Sequence, residues 1–236
     1  MFERELVDSM FLDRWTIVRT INRQSVAEHT FLVAHYANDI AVCLGIDPKM
    51  HLGLLQFCLW HDAADEIFTG DLPGPNKRGL LDAIGPEAKE KWDAKLREWS
   101  HRTFSNLTER MGGSRSPNDA YIVLLIAKVA DWMEASVRMA TEDQMGNRCA
   151  SRHITPNMKG AIETLHKLIE ARYGVKVSTD EVPINPTLAE RMYTFLHDAI
   201  VDCVDKARRG QSAGPWITRE DDSRTYHDPC VDNDAL

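Results

Sequence analysis

His61 and Asp62 stand side by side at the end of an apolar stretch. An ionised Asp beside a His is costly to bury unless something compensates it, and a bound cation does so. Adjacent residues lie about 100° apart around a helix, so both can lean toward one ion at the helix edge. His29 follows Glu28 within an earlier helical pattern, and Asp131 follows Ile126, Val129 and Ala130 in the most apolar one. Two imidazoles and two carboxylates make a mixed nitrogen and oxygen donor set. It suits one divalent transition metal (Mn, Co, Zn or Fe, with Mg a further candidate) better than Ca, and leaves positions for water and substrate. Such an ion lowers the pKa of its water and offsets charge on a phosphoryl oxygen. Plainer readings exist: a lone helical His is more often structural, and Asp131 can form a simple ion pair with Lys128 at i−3. The four residues together are harder to explain that way.

The elements that must position these groups read as helices. Residues 26–44 carry Phe31, Ala34, Ala37, Ile40, Ala41 and Leu44 at helical spacing, and Gly45 follows as a stop. Ser25, with Glu28 three residues on, predicts a capping box. Pro48 opens a second helical segment running through Glu66, and residues 70–75, rich in Gly and Pro, predict a loop. A polar-faced helix is expected from Pro86 to about 111, then a turn over 112–117. Residues 118–141 are apolar on most sides, which predicts a central helix. A loop over 146–156, a helix over 157–173 ending at Gly174, and a last helix over 187–209 complete the pattern. The tail from Gly210 is polar. No strand pattern or repeat stands out, so the expected class is all-α, a helical bundle.

A chain of 236 residues can bury a core without disulfide staples. Its net charge of −8, from 28 basic and 36 acidic residues, argues against a nucleic-acid polymer as partner. A small anionic ligand remains open, since a few clustered cations can hold phosphates inside an acidic shell. The five cysteines (Cys43, Cys58, Cys149, Cys203 and Cys230) form no Cys-x-x-Cys pair, and Cys43 and Cys58 read as small core residues. With no apolar h-region behind the charged start and no run of ~18 apolar residues, neither a signal peptide nor a membrane span is expected. The expected compartment is the cytoplasm. His153, His166, His197 and His227 receive no role.

Five segments carry a family resemblance: Arg14-Trp15-Thr16-Ile17-Val18-Arg19, Ser25-Val26-Ala27-Glu28-His29, His61-Asp62-Ala63-Ala64, Thr69-Gly70-Asp71-Leu72-Pro73 and Lys128-Val129-Ala130-Asp131. In this order, over residues 10–175, they resemble the bacterial HD-domain 5'-deoxynucleotidases. The resemblance implies an all-α HD-domain helical bundle over 1–175, followed by a C-terminal helical extension and polar tail over 176–236. It implies one metal held by His29, His61, Asp62 and Asp131, and hydrolysis of the 5' phosphoester of a 2'-deoxynucleotide by a homo-oligomer. The chain is similar as well to the phage dATP triphosphohydrolases, which release deoxyadenosine and the whole triphosphate. Arg14, Lys77 and Lys128 match positions that hold phosphates in that branch, and Trp15, Ile17 and Pro75 match positions that shape its base and sugar pocket.

One departure touches the chemistry. The deoxynucleotidases place one acid after the His-Asp pair and then Thr-Gly-Asp; here Asp65 and Glu66 both stand in that region. Either can orient the attacking water, Glu66 being preferred, and Asp71 is a second acid or base, or simply the cap of a turn. The alarmone hydrolases have their two acids in the reverse order, which makes that activity the weaker reading. Two-metal HD enzymes need further histidines between His61 and Asp131, and His101 alone stands there, so a mononuclear centre is expected. Two non-enzymatic readings compete with hydrolysis. One is a metal-binding module without activity that acts through partners, which need not keep Glu66, Asp71, Arg14 and Lys128. The second is a helical interaction protein without metal.

Overall fold

Ser25 fixes where the first long helix, α1 (Val26–Cys43), begins. Its hydroxyl accepts from the Glu28 N–H at 3.1 Å, and the Glu28 carboxylate accepts from the Ser25 N–H at 2.7 Å, the predicted capping box. Leu44 caps the other end, and Gly45 turns the chain at φ 57°. The computed structural model describes residues 9–15, 18–60, 66, 79–92, 94–95, 117–176 and 187–211. Within α1 the core face runs through Val26, Val33, Ala37 and Ile40, all fully buried. Phe31, expected on that face, is 66% exposed. It lies two positions from Val33, about 200° around the helix, and so points the other way.

Asp47 caps α2 (Pro48–Trp60), accepting from the N–H groups of Lys49 and Met50 at 2.9 and 3.3 Å. This helix is apolar on several sides but buries one face, through Leu54 and Cys58, while Leu52 and Leu59 are exposed. Glu66, where the sequence ends this segment, is helical; 61–65 lie outside the described residues. Residues 79–92 are helical too, starting ahead of the expected Pro86, with Gly85 at φ 79° just before it. The expected loop over 70–75 and the turn at 112–116 lie outside the described residues.

The central helix is α3 (Pro117–Gln144). Ile122, Ile126, Val129, Ala130 and Met133 are buried in one core with residues of α1, α2, α4 (Arg148–Tyr173) and α5 (Leu188–Arg208). The expectation of a loop over 146–156 is corrected, because α4 starts at Arg148 and carries Pro156 inside it. An interior proline removes a backbone hydrogen bond and costs about 3 kcal/mol. Burial offsets it: Ala150 and Ile154 sink fully into a second cluster with Met139, Ala140 and Val204. Ile154 alone contributes roughly 1.5–3 kcal/mol. Packing overrides a local breaker here. Further along α4, Gly160 lies against the Trp132 ring, where an added Cβ would come within 2.8 Å.

After Gly174, left-handed at φ 69°, Thr187 and Glu190 form the capping box of α5. Leu196, Ile200 and Cys203 of α5 enter the same core as α1 and α3, so the segment after 175 contributes to the bundle's interior. Among the described residues the only β pairing is the isolated bridge between Asp13 and Ser25, and no helix is long and apolar enough to cross a membrane.

Candidate functional site

That bridge brings the N-terminal segment to α1. The Val26 N–H donates to the Leu12 carbonyl at 2.8 Å, and the Arg14 N–H to the Gln24 carbonyl at 2.7 Å. Residues 12–14 thus run antiparallel to 24–26, directly before the helix turn that carries His29. Trp15 then adopts φ 64°, a left-handed conformation that bulky residues rarely take. Two contacts hold it there. Its carbonyl accepts from the Val18 N–H at 2.9 Å, and its indole N–H donates to the Gln24 side-chain carbonyl at 3.2 Å. The Arg14 guanidinium lies 5.6 Å from the centre of the Trp15 ring, at cation–π distance.

His29, in the first turn of α1, is fully buried between two carboxylates of α3. Its Nδ1 lies 2.7 Å from Oε2 of Glu134, and its Nε2 lies 3.5 Å from Oδ1 of Asp131. Asp131 and Glu134, one turn apart, therefore share the face of α3 that meets α1. Lys128, one turn earlier, places its ammonium 3.1 Å from Oδ2 of Asp131 and is half exposed, at the rim. The plain ion pair and the His–Asp pairing thus coexist on one carboxylate. Cys58 of α2 is buried, and its thiol is pushed up to about 12 by burial and by the nearby Asp131 carboxylate. Cys58 lies in the last turn of α2, and the chain leaves that helix at Trp60, immediately before His61.

Glu134 is 2% exposed, yet every partner around it is polar. Besides His29 it accepts from the Gln24 side-chain amide at 2.6 Å on Oε1, and the Arg14 guanidinium lies 3.8 Å from Oε2. Burial alone would raise its pKa, but His29, Arg14 and Gln24 together outweigh burial and hold the carboxyl below its usual range. Neither Glu134 nor Gln24 is among the residues expected from the sequence. A signal is present there: Lys128, Asp131 and Glu134 recur at every third position, directly after the apolar run from Tyr121 to Ala127.

Of the residues expected to act, the structure brings His29, Asp131, Lys128, Arg14 and Trp15 into one neighbourhood. Glu66 is helical and half-buried. His61, Asp62, Asp65, Asp71, Ile17, Pro75 and Lys77 lie outside the described residues.

A divalent cation fits the groups that are present. A proton on His29 Nδ1 donates to Glu134 and leaves the Nε2 lone pair for a cation, with a carboxylate oxygen of Asp131 3.5 Å away. One ion ligated at about 2.0–2.2 Å on each side spans such a gap.

The family model described as 5'-deoxynucleotidase YfbR-like matches residues 2–182. A 5'-deoxynucleotidase of Vibrio atlanticus is 32% identical over 141 residues, 58% of this chain and 66% of that protein. A dATP triphosphohydrolase of Salmonella phage PMBT28 is 38% identical over 84 residues, 33% of this chain and 43% of the phage protein. The chain thus spans less than two thirds of the length of these relatives. Among solved structures, the Cyanophage S-2L HD phosphohydrolase bound to dA and one catalytic Zn2+ ion matches with a TM-score of 0.56 at 20% identity. That match covers 87% of this chain and 98% of the phage chain, and it establishes the shared all-α HD fold.

Proposed function

Because the chain belongs to the YfbR-like 5'-deoxynucleotidase family, we propose that it hydrolyses the 5' phosphoester of 2'-deoxynucleotides, with His29, His61, Asp62 and Asp131 holding one divalent transition metal. The observation that carries this reading is His29, buried with Nδ1 on a carboxylate and Nε2 facing Asp131. A metal-ligating imidazole is usually oriented in this way, its second nitrogen donating to a carboxylate. The relatives named for deoxynucleotides and the phage structure that holds dA and Zn2+ support the substrate class and the metal type.

The reaction needs five things of these residues. When bound, the ion acidifies a water and neutralises charge on the phosphoryl oxygens. Glu66, or Asp65 beside it, orients that water and takes its proton. Arg14 forks onto phosphate oxygens, and Lys77 and Lys128 add point charges. Trp15, Ile17 and Pro75 flank sugar and base, and a close wall at the 2' carbon excludes a ribose hydroxyl. As the water oxygen bonds to phosphorus, the bond from phosphorus to O5' breaks and O5' takes up a proton, for which Asp71 is the proposed acid. The products are a deoxynucleoside and either phosphate or, from dATP, triphosphate. A cytoplasmic homo-oligomer completes the proposal, and light scattering of the purified chain tests the assembly.

Incubation with dNMPs, NMPs and dNTPs in the presence of Mn, Co, Zn or Mg, with products separated by chromatography, tests the activity. Phosphate from dNMPs identifies a nucleotidase; triphosphate and deoxyadenosine from dATP identify the phage-type reaction. Hydrolysis of none of them, with wild type as silent as Asp62→Ala, rejects the proposal.

A further inference from the structure

The two oxygens of Glu134 serve different parts of the molecule. Oε2 holds Nδ1 of His29, the residue proposed to bind the metal. Oε1 accepts from the Gln24 amide, whose own carbonyl accepts from the indole N–H of Trp15, the residue proposed to face base and sugar. We propose that Glu134 is a positioning residue that ties the metal-binding histidine to the nucleotide-binding segment, setting both through one buried carboxylate. The inference rests on the functional reading above and extends it to residues that reading does not use.

The direction of this chain of hydrogen bonds is forced. An indole N–H can only donate. Gln24 must therefore turn its carbonyl toward Trp15 and its amide N–H2 toward Glu134, so Oε1 of residue 134 has to be an acceptor. His29, with its proton on Nδ1, asks the same of Oε2. A carboxylate accepts on both oxygens; a glutamine at 134 accepts on one and donates on the other. Glu134→Gln can satisfy His29 or Gln24, but not both. If Gln24 flips to meet the new amide, its own amide confronts the indole N–H. Burial sharpens the conflict, because Gln24 and Glu134 are 3% and 2% exposed, leaving little water to absorb a mismatched donor. The left-handed backbone at Trp15 adds to it, since the indole contact is one of the two bonds that hold this strained residue in place.

Three full-length proteins test the inference: wild type, Glu134→Gln and Gln24→Leu. Each is checked for folding by thermal melting, for Mn and Zn affinity by competition with a chromophoric chelator, and for KM and kcat on the best deoxynucleotide. Glu134→Gln should weaken metal binding by roughly 10–100-fold and also raise KM. Excess metal should restore its kcat but not its KM. Gln24→Leu cuts only the Oε1 arm, so it should raise KM by roughly three- to tenfold with metal affinity within about twofold of wild type. Metal affinity and KM unchanged in a folded Glu134→Gln overturn the coupling, as does a Gln24→Leu protein with unchanged KM. Should Glu134→Gln fail to fold, Gln24→Leu still decides the substrate arm. Wild type that binds no metal and hydrolyses nothing instead removes the functional reading itself, and this inference with it.

Discussion

Helix α3 buries two glutamates two turns apart, Glu134 and Glu142, and they are put to different use. Both are essentially inaccessible, at 2% and 0% exposure. Glu134 is surrounded by side chains, His29, Gln24 and Arg14, two of which belong to the proposed site. Glu142 is held by loop backbone as well as by side chains. It accepts from the N–H groups of Ile21 and Asn22 at 2.6 and 3.0 Å, and from the Asn147 amide at 2.9 Å. Arg138 lies 3.5 Å from it and also donates to the Asn22 carbonyl. One carboxylate therefore gathers the side chains of the proposed site, while the other pins the loop behind the N-terminal segment to the bundle. Burial of a charged group does not by itself mark a catalytic site; the nature of its partners does.

The sharpest test of this contrast is at the chemical end. Asp131→Ala removes a proposed ligand and leaves Lys128 and His29 facing an apolar methyl. Loss of metal-dependent transition-state stabilisation worth ~4 kcal/mol or more corresponds to a fall in kcat/KM on the order of a thousandfold. Equilibrium dialysis against Mn or Zn should show bound metal lost along with it. Retained metal in a folded Asp131→Ala protein would move the centre elsewhere.

At the structural end the effect should fall on stability alone. Glu142→Ala leaves two backbone N–H groups without their acceptor, at about 1–3 kcal/mol each. A lower Tm with unchanged metal affinity is the expected result. Glu142→Gln adds a pH signature. Burial raises this carboxyl, but the Ile21 and Asn22 amides, Asn147 and Arg138 outweigh it, so its folded pKa lies below the usual range. Stability from such a group is complete above the unfolded pKa, near ~4.3, and is lost as pH falls through the lower folded value. The difference in unfolding free energy between wild type and Glu142→Gln should therefore shrink below about pH 4. A gap that stays constant down to about pH 2 contradicts the depressed pKa.

The two ends are unequally legible in the sequence. Helix starts at Ser25 and Thr187 are written locally, because a capping box needs only residues three apart, and the Ser25 box is readable from Ser25 and Glu28 alone. His29 and Asp131 stand out by type and order. Glu134 and Glu142 do not, because the partners that set their roles, His29 and Gln24 for one and the Ile21 and Asn22 amides for the other, lie between 105 and 121 residues away in the chain. Pro156 misleads for the related reason that the burial of Ile154, which offsets it, depends on residues of α3 and α5. Charged groups on an apolar helix are visible in a sequence; which of them meets a histidine and which a loop backbone is decided by packing.

A smaller effect is expected where α3 and α4 touch beside the site. Gly160→Ala would set a methyl 2.8 Å from the Trp132 ring, the residue next to Asp131. Overpacking of this kind costs about 1–3 kcal/mol, while the better helix propensity of Ala returns about 1 kcal/mol. Net destabilisation of up to about 2 kcal/mol in urea titrations is expected, with kcat falling more than in Glu142→Gln, because Trp132 adjoins Asp131 and a displaced ring loads that turn. A change in stability with no change in kcat would show that this turn is stiffer than its contacts imply.

The smallest effect belongs to the cap that starts α1. Ser25→Ala removes the side-chain half of the capping box and should cost about 1 kcal/mol. His29 sits one residue beyond that box, and its N–H donates to the Ser25 carbonyl at 3.1 Å, a bond the substitution leaves intact. The imidazole is held separately, by Glu134 across the helix interface. If that grip sets the ligand, Ser25→Ala lowers Tm while metal affinity changes by less than the effect of Glu134→Gln. If the two variants weaken metal binding equally, helix fraying rather than Glu134 controls His29, and the contrast between the two buried glutamates loses its chemical half.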